Sequence, residues 1–252
     1  MDLKIRGKRA LVTGSSRGIG RSIALSLADL GVDVAINYLR ARSKAEATAA
    51  EIEARGVNAL VLKGNVANPE HVERMFDTIG ETWGGLEILV SNAASGVLRP
   101  ARELTLRHFS WAMNINAAAL LPLTQNLLKL DSDGPKIAVA VSSLGAIRAI
   151  QNYTVVGASK AALESMVRHL AAEFGPEGLR INAVSAGTVD TDALKHFPNR
   201  EELLDESLQR TPAGRLVSPQ DVANAVIFLC TDFAAMIQGQ TLVVDGGYSI
   251  VA

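Results

Sequence analysis

Short runs rich in β-branched residues alternate along the chain with longer segments in which apolar residues recur at helical spacing. The short runs predict strands and the longer segments predict helices. Strands are predicted at residues 9–14, 32–38, 58–66, 86–92, 136–143, 180–187 and 241–247. Helices are predicted at residues 18–30, 43–55, 69–82, 103–129, 155–174 and 219–231. Asn68 and Ser218 each stand before a proline, which is typical of a helix start.

Regular alternation of strand and helix predicts an α/β fold in which a parallel sheet has helices on both faces. We expect a single doubly wound domain over residues 1–252 with a seven-stranded sheet, because no repeat, low-complexity tract or linker interrupts the pattern. The connection at 188–217 is too long for a tight turn. It predicts a lid that covers the substrate and is mobile without ligand.

Composition narrows the classes of function. The chain has 252 residues and a formal net charge of -1 without a basic tract, which argues against nucleic acid or an anionic membrane as partner. The uncharged stretch at 111–128 contains several polar residues, so a membrane span is not expected. Cys230 is the one cysteine and the N-terminal apolar run is too short for a signal peptide, which favours the cytoplasm. The four histidines lack metal-ligand spacing, so no metal is expected.

A glycine-rich turn follows the first predicted strand and opens the first predicted helix. It reads TGSSRGIG over residues 13–20. Glycine tolerates positive φ in such a turn and lets the backbone approach a pyrophosphate at the helix N-terminus, where free N–H groups favour an anion. With a strand before it and a helix after it, the turn predicts a Rossmann-like dinucleotide site, the alternative being a tight turn without a ligand.

The residues after the second strand predict which dinucleotide is bound. An NAD site offers a carboxylate to the ribose 2′-hydroxyl about 20 residues beyond the glycines. This strand instead ends in INYLRAR, without Asp or Glu. Arg17 in the turn and Arg40 and Arg42 after the strand suit a 2′-phosphate. NADPH is therefore the expected cofactor, the alternative being that these arginines only form a solvated loop.

Four segments resemble the motifs of the short-chain dehydrogenase/reductase family. They are TGSSRGIG, SNAAS at 91–95, INAVSAG at 181–187 and GQTLVVDGG at 239–247. Because they occur in the family's order, the resemblance extends over the whole chain. Ala94 and Ala186 replace the glycine and the proline that the family usually has, and neither change removes a chemical group.

The resemblance implies a set of cofactor-binding residues. Asn65 would lie at the adenine, and Asn92 and Ala93 would pass beside the ribose. Thr191 would meet the carboxamide or the diphosphate. The full set is Gly14, Ser16, Arg17, Gly18, Ile19, Gly20, Arg40, Asn65, Val66, Asn92, Ala93, Lys160, Gly187, Val189 and Thr191.

The family's catalytic set is a serine on the fifth strand, then a tyrosine, then a lysine that usually follows the tyrosine by four residues. The resemblance implies Ser143 and Lys160 in two of these roles. The tyrosine, however, is Tyr153, seven residues before the lysine, and Val156 has the usual place. Seven residues span nearly two helical turns, so Tyr153 and Lys160 share a face if the helix reaches that far.

One asparagine is also implied. In the family it lies on a helix and holds a water near the lysine. Asn114 resembles it, with Asn116 as a rival by register and a merely packing or capping asparagine as the alternative.

The position of the tyrosine predicts the reaction. Relative to position 156, the hydroxyl has moved nearly one turn, roughly 4.5 Å along the helix axis. A ketone needs its proton on an oxygen about 1.2 Å from the carbon that takes hydride. An enoyl thioester takes hydride at C3 and develops charge on an oxygen roughly 3 Å or more away. A donor farther from the nicotinamide therefore suits NADPH-dependent reduction of an enoyl thioester.

Tyr-x6-Lys is the spacing of enoyl-thioester reductases within the family. The runs NAASGVLRP and SSLGAIRAIQNYTVVGASKAALE look closest to the bacterial enoyl-acyl-carrier-protein reductase III type, which implies fatty-acid or related acyl-chain biosynthesis. Ser143 occupies the ketoreductase serine position, which leaves a 3-oxoacyl-thioester or other ketone reductase as the alternative. A non-catalytic dinucleotide-binding sensor is the third hypothesis.

Three groups of basic residues suggest a site for the carrier of the acyl group. Those in 98–108, Arg148 and those in 194–200 are expected to form a rim for an acyl carrier protein or for coenzyme A phosphates, or only a solvated surface. The resemblance alone implies a homotetramer, formed through the helices at 103–129 and 155–174 and through the last strand.

Overall fold

The computed structural model describes residues 3–191 and 200–251, and these contain a sheet of seven parallel strands in the order β3-β2-β1-β4-β5-β6-β7. The strands are β1 Arg9–Val12, β2 Asp33–Tyr38, β3 Ala59–Lys63, β4 Ile88–Ser91, β5 Lys136–Ser143, β6 Leu179–Ala186 and β7 Thr241–Val244. The helices are α1 Gly18–Asp29, α2 Arg42–Glu53, α3 Pro69–Trp83, α4 Leu106–Met113, α5 Leu120–Lys129, α6 Thr154–Phe174, α7 Arg200–Arg210 and α8 Pro219–Cys230. None of these helices is long and apolar enough to cross a membrane.

Helices cover both faces of the sheet, and the central strands are apolar on both sides for that reason. α1, α2 and α8 pack on one face through side chains such as Ile23 and Val226. α3, α5 and α6 pack on the other through Phe76, Leu123 and Leu163. The predicted α/β fold, with a doubly wound seven-stranded parallel sheet, is confirmed.

Both predicted proline-marked helix starts are confirmed. Asn68 Oδ1 accepts the N–H of His71 at 3.2 Å, and Pro69 is the first residue of α3. Ser218 Oγ accepts the N–H of Asp221 at 3.2 Å, while Asp221 Oδ2 accepts the N–H of Ser218 at 2.8 Å. This reciprocal capping box satisfies N–H groups that have no partner inside α8.

The single long helix predicted at 103–129 is interrupted. α4 is followed by a π turn, Asn114–Ala118, and then by α5. In that turn the N–H of Ala119 donates to the carbonyl of Asn114 at 3.1 Å, five positions back, so the turn is wider than an α-helical one. Apolar spacing predicts a helix, but one inserted residue hardly changes that spacing. The sequence pattern therefore missed the interruption.

The predicted lid contains a helix that the hydrophobic pattern also missed. α7 reads REELLDESLQR and buries Ser207 rather than an apolar stripe. The hydroxyls of Thr188 and Ser207 lie 2.9 Å apart, which fastens α7 to the segment that follows β6. Residues 192–199 of the predicted lid lie outside the described residues, and the mobility of the lid stays a prediction.

A buried ion pair joins β1 to the segment before β4. Arg9 Nη2 and Nε donate to the two carboxylate oxygens of Glu87 at 2.5 and 3.1 Å, and Arg9 Nη1 donates to the carbonyl of Trp83 at 2.6 Å. Glu87 is only 2% exposed. Burial by itself raises the pKa of Glu87, but the hydrogen bonds and charge of Arg9 outweigh it, so this pKa lies below its usual value.

Replacing Arg9 with methionine should destabilise the protein by about 3–5 kcal/mol at neutral pH, because Glu87 would remain buried without its cationic partner. The pKa of Glu87 is lowered by folding, so the stabilisation is present above the usual glutamate pKa and is lost as the pH falls through the folded value. Urea unfolding of Arg9→Met at several pH values measures both effects.

Arg42→Met is the matched control for this prediction. It breaks the exposed pair with Glu46, whose two side chains are 76% and 51% exposed, and should leave stability nearly unchanged. Equal losses in the two variants, or a loss in Arg9→Met that does not diminish in acid, would contradict the account.

Candidate active site

The glycine-rich turn lies at the carboxyl ends of β1 and β4, where the strand order reverses and open α/β sheets bind ligands. Gly14 and Gly18 have φ of 63° and 57°, which a side chain rarely adopts. A Cβ on Gly14 would lie 2.9 Å from the Cα of Ala93. The turn therefore needs glycine at these positions, and it forms a backbone cradle without side chains.

Asn92 and Ala93, predicted to pass beside the ribose, brace this turn. Their N–H groups donate to the buried Thr13 hydroxyl at 2.9 and 3.0 Å. Asn92 Nδ2 donates to the carbonyls of Thr13 and Gly14 at 2.9 and 3.2 Å. A Cβ on Gly20 would collide with Asn92 Nδ2, so glycine at this position lets β4 and α1 hold the turn from both sides.

Asn37, near the end of β2, braces the glycine turn and was missed in the sequence analysis. It is 2% exposed, its Oδ1 accepts the N–H of Gly14 at 3.2 Å, and its Nδ2 donates to the carbonyl of Gly64 at 3.0 Å. Its backbone carbonyl accepts the N–H of Ser15 at 3.1 Å. The sequence shows an asparagine on this strand and no carboxylate just after it. It does not show that Asn37 bonds to Gly14 and Gly64, which are far away in sequence.

The predicted arginines differ in their surroundings. Arg17 is exposed immediately before α1, and Arg40 is exposed just after β2. Within the described residues, the guanidinium of Arg40 makes no hydrogen bond or ion pair. Arg42 Nε instead donates to Glu46 at 2.7 Å in the first turns of α2. Of the two arginines after β2, Arg40 is the one left to meet a phosphate.

The other predicted cofactor residues line the same edge of the sheet. Asn65 is half-buried after β3, and its Oδ1 accepts the N–H of Ala67 at 3.1 Å. The segment after β6 returns to the glycine turn, because a Cβ on Gly18 would lie 3.8 Å from Thr191 Cγ2. The remaining members are partly or fully buried in these segments: Ser16, Ile19, Val66, Gly187 and Val189. These residues lie with the glycine cradle at one edge of the sheet, where a dinucleotide is predicted to bind.

The tyrosine and the serine of the predicted catalytic set meet. Tyr153 immediately precedes α6, and its carbonyl accepts the N–H of Gly157 at 2.7 Å, so it has the place of a helix cap. Its hydroxyl donates to Ser143 Oγ at 3.3 Å. Gly145 allows the contact, because a Cβ there would enter the Tyr153 ring. Burial raises the pKa of Tyr153, opposed by its bond to Ser143, so the phenol keeps its proton at neutral pH.

Lys160 lies on the buried face of α6. It is 5% exposed, and its Nζ donates to the carbonyl of Val141 at 2.7 Å. Burial lowers the pKa of Lys160 to about 8, while the charge of Glu164 opposes the shift. The lysine is therefore cationic below that pH and can favour the tyrosinate that forms when Tyr153 gives up a proton.

The two candidate asparagines differ in their surroundings, and the role predicted for Asn114 stays a prediction. Asn114 is exposed at the start of the π turn, and its amide makes no hydrogen bond within the described residues. Asn116 is 3% exposed and bonds inward, donating to Ser159 Oγ at 2.9 Å and to the Ser95 carbonyl at 2.8 Å. The inserted residue of the π turn rotates the second asparagine toward α6, which register counting on an ideal helix could not predict.

Val156, at the usual place of the family's tyrosine, is a core residue here. It is 7% exposed and packs in a small apolar cluster with Ala112 and Val155. A Cβ on Gly96 would collide with Val156 Cγ2, so the loop after β4 lies directly against this side chain. Because Val156 is buried at that position, Tyr153 is the tyrosine that can serve the site.

A glycine cradle at the switch point of a parallel sheet, next to a partly buried Ser-Tyr-Lys group, is the arrangement of a nicotinamide-dinucleotide-dependent oxidoreductase. The family model described as enoyl-(acyl carrier protein) reductase matches residues 14–249. The chain belongs to the short-chain dehydrogenase/reductase family, within its enoyl-reductase-like members.

Two curated relatives and one solved structure are similar over nearly the full length. The 1-cyclohexenylcarbonyl-CoA reductase of Streptomyces collinus is 41% identical over 98% of this chain and 89% of its own. An NADH-dependent enoyl-acyl-carrier-protein reductase of Nostoc is 36% identical over 99% of both chains. A Bacillus cereus enoyl-acyl carrier protein reductase, crystallised with NADP+ and indole naphthyridinone, is 30% identical with a TM-score of 0.93 over 100% of both chains.

Gly20→Ala tests the cradle. The added methyl collides with Asn92 Nδ2 and would lie 2.6 Å from the carbonyl of Gly14, so the turn must shift. We expect at least a tenfold weaker dinucleotide affinity, about 1.4 kcal/mol, with the fold retained. Fluorescence titration with NADPH and NADH, together with thermal unfolding, measures both effects. Gly134→Ala is the control, since a Cβ there meets nothing within 4 Å; unchanged affinity in Gly20→Ala would refute the cradle.

Proposed function

We propose that the protein catalyses NADPH-dependent reduction of the 2,3 double bond of an enoyl thioester. The observation that carries this is the position of the phenol. Tyr153 stands seven residues before Lys160 and directs its hydroxyl to Ser143, while the position four residues before the lysine is filled by the buried Val156.

A bound reduced nicotinamide would supply the hydride to C3 of the substrate. The developing charge then appears on the thioester carbonyl oxygen, two carbons away from the hydride acceptor. Tyr153 is the group that would donate a hydrogen bond or proton to that oxygen, and Ser143 orients its hydroxyl. Lys160 supplies the positive charge that makes the loss of the phenolic proton less costly.

The relatives support the choice of substrate class. The Streptomyces collinus relative is named for reduction of 1-cyclohexenylcarbonyl-CoA, a thioester with a double bond next to its carbonyl. The Nostoc and Bacillus cereus proteins are named for enoyl groups on acyl carrier protein. These names favour a conjugated thioester and leave the carrier open between coenzyme A and a carrier protein.

Reduction of a 3-oxoacyl thioester is the second candidate. The hydrogen bond of 3.3 Å between Tyr153 and Ser143 is compatible with it, because a serine–tyrosine pair can hold the oxygen of a ketone as well as that of an enoyl thioester. Steady-state turnover separates the two candidates. Crotonyl-, 1-cyclohexenylcarbonyl- and acetoacetyl-CoA are compared with the corresponding acyl carrier protein thioesters by consumption of NADPH. Turnover of acetoacetyl thioesters alone would replace the first proposal by the second.

Tyr153→Phe should lower kcat by roughly 100-fold or more, because it removes the proton donor with little change in shape. Thioester turnover under saturating NADPH measures the loss. Tyr248→Phe is the control, since it removes the same hydroxyl from a ring that lies 5.0 Å from the Arg210 guanidinium. Near-normal turnover in Tyr153→Phe would move the acid role to Ser143 or to water.

We propose NADPH rather than NADH because no carboxylate follows β2 and two exposed arginines, Arg17 and Arg40, lie at the cofactor edge. The relatives include an NADH-dependent reductase and a structure with NADP+, so they do not decide the preference. NADPH should exceed NADH by at least tenfold in kcat/KM, about 1.4 kcal/mol.

Arg40→Ala should remove most of that preference by weakening NADPH use while leaving NADH use unchanged. Arg42→Ala is the matched control, because the guanidinium of Arg42 is held by Glu46. The measurement is kcat/KM of each variant relative to the unmodified protein, once with NADPH and once with NADH. An Arg40→Ala enzyme that keeps the full preference would contradict the role of Arg40.

We further propose a cytoplasmic homotetramer that acts in fatty-acid or related acyl-chain biosynthesis. Exposed apolar side chains support self-association: Phe109 and Trp111 on α4, Phe228 on α8, and Leu242 and Val243 on β7. The basic rim proposed for a carrier retains exposed arginines at 99, 102, 107 and 148. Its last part, 194–199, lies outside the described residues.

A further inference from the structure

Three consecutive residues of β5 each hold one side chain from α6 or its start. The carbonyl of Val141 accepts from Lys160 at 2.7 Å, and Ser143 Oγ accepts from Tyr153 at 3.3 Å. Between them, Ser142 Oγ donates to Glu164 Oε1 at 2.6 Å. Two of these three bonds belong to the predicted catalytic set, and the third holds a carboxylate that the mechanism has not used.

Glu164 lies one helical turn beyond Lys160, on the same side of α6. Glu164 is 8% exposed and Lys160 is 5% exposed, so water screens their charges only weakly. The carboxylate is not in direct contact with the ammonium. The bond to Ser142 holds the Glu164 carboxylate in place, and the carboxylate acts on the Lys160 ammonium through its charge.

The other groups around Lys160 do not offer a second carboxylate. β5 offers the lysine the backbone carbonyl of Val141, and the residue before α6 carries the phenol that bonds to Ser143. Further charged or titratable residues on the elements packed against α6 stand at remote element ends or on exposed faces: Lys136, Arg180, Arg107, His108, Lys129 and Glu177. Glu164 is thus the anion placed to act on Lys160 within the described residues.

We propose that Glu164, fixed by Ser142, is a positioning residue that keeps the buried Lys160 protonated in the working enzyme. Burial lowers the pKa of Lys160 to about 8, and the charge of Glu164 raises it against that effect. Without this charge the lysine would be neutral over part of the neutral pH range. It would then neither favour the tyrosinate of Tyr153 nor present a cation to the cofactor ribose.

Glu164→Gln separates charge from structure. The amide oxygen of glutamine accepts the same bond from Ser142, so a purely structural role would survive the change. Loss of the negative charge should lower the pKa of Lys160 by about one unit. Because the lysine is active when protonated, the basic limb of the pH profile should move to lower pH by the same amount.

Two readouts follow the shift. The first is NADPH and NADH affinity of the protein against pH, measured by nicotinamide fluorescence without substrate. The second is kcat/KM for crotonyl-CoA against pH, and this arm alone rests on the proposed function. If the unmodified protein does not turn over thioesters, the proposed function is wrong. The measurement of cofactor affinity against pH would still decide the role of Glu164.

Glu173→Gln is the matched control, because Glu173 is exposed on the same helix. Its profiles should match those of the unmodified protein. Glu164→Asp keeps the charge, and its midpoint should lie between those of the unmodified protein and Glu164→Gln; it serves as the test variant if Glu164→Gln does not fold. Midpoints that remain unchanged in folded Glu164 variants, or a uniform loss at every pH, would overturn the proposal.

Discussion

The bond from the buried Lys160 ammonium to the Val141 carbonyl helps to set how α6 lies against β5, and the proposed catalytic group depends on that docking. A buried ammonium needs hydrogen-bond partners, and a strand carbonyl near the end of the sheet provides one. Once α6 is fixed in this register, Tyr153 at its start meets Ser143 at the end of β5. The reactive side chains are therefore placed by the same contact that packs the helix on the sheet.

The cofactor edge follows from an equivalent constraint on the glycine turn. Asn37 from β2 and Asn92 after β4 bond to the backbone of that turn, while glycines leave no side chain in the way. The two amides satisfy backbone groups that a sharp turn would otherwise bury without partners. The braced cradle and the proposed catalytic group then lie at the carboxyl edge of one sheet.

Much of this arrangement could be predicted from the sequence because it rests on local patterns. Alternating apolar runs predicted seven strands. The shared face of Tyr153 and Lys160 stays a prediction, because α6 begins at Thr154, one residue after Tyr153. The π turn could not be predicted, because one inserted residue leaves the apolar period almost intact.

Residues whose role depends on partners distant in sequence were also missed. Asn37 reaches the first turn from the second strand. Asn116 was predicted only as the alternative to Asn114, and its bond to Ser159 on another helix was not predicted. Glu164 is joined to Ser142 across 22 positions. α7 was missed for a different reason, since its polar sequence buries Ser207 and shows no apolar stripe.

The central claim is that the position of the Tyr153 hydroxyl directs reduction to a carbon–carbon double bond. The most direct measurement is a competition between crotonyl- and acetoacetyl-CoA at equal concentration, with NADPH that carries deuterium at its transferable position. Mass spectrometry and deuterium NMR then identify the labelled product. The account predicts label at C3 of butyryl-CoA. Label at C3 of 3-hydroxybutyryl-CoA instead would contradict it.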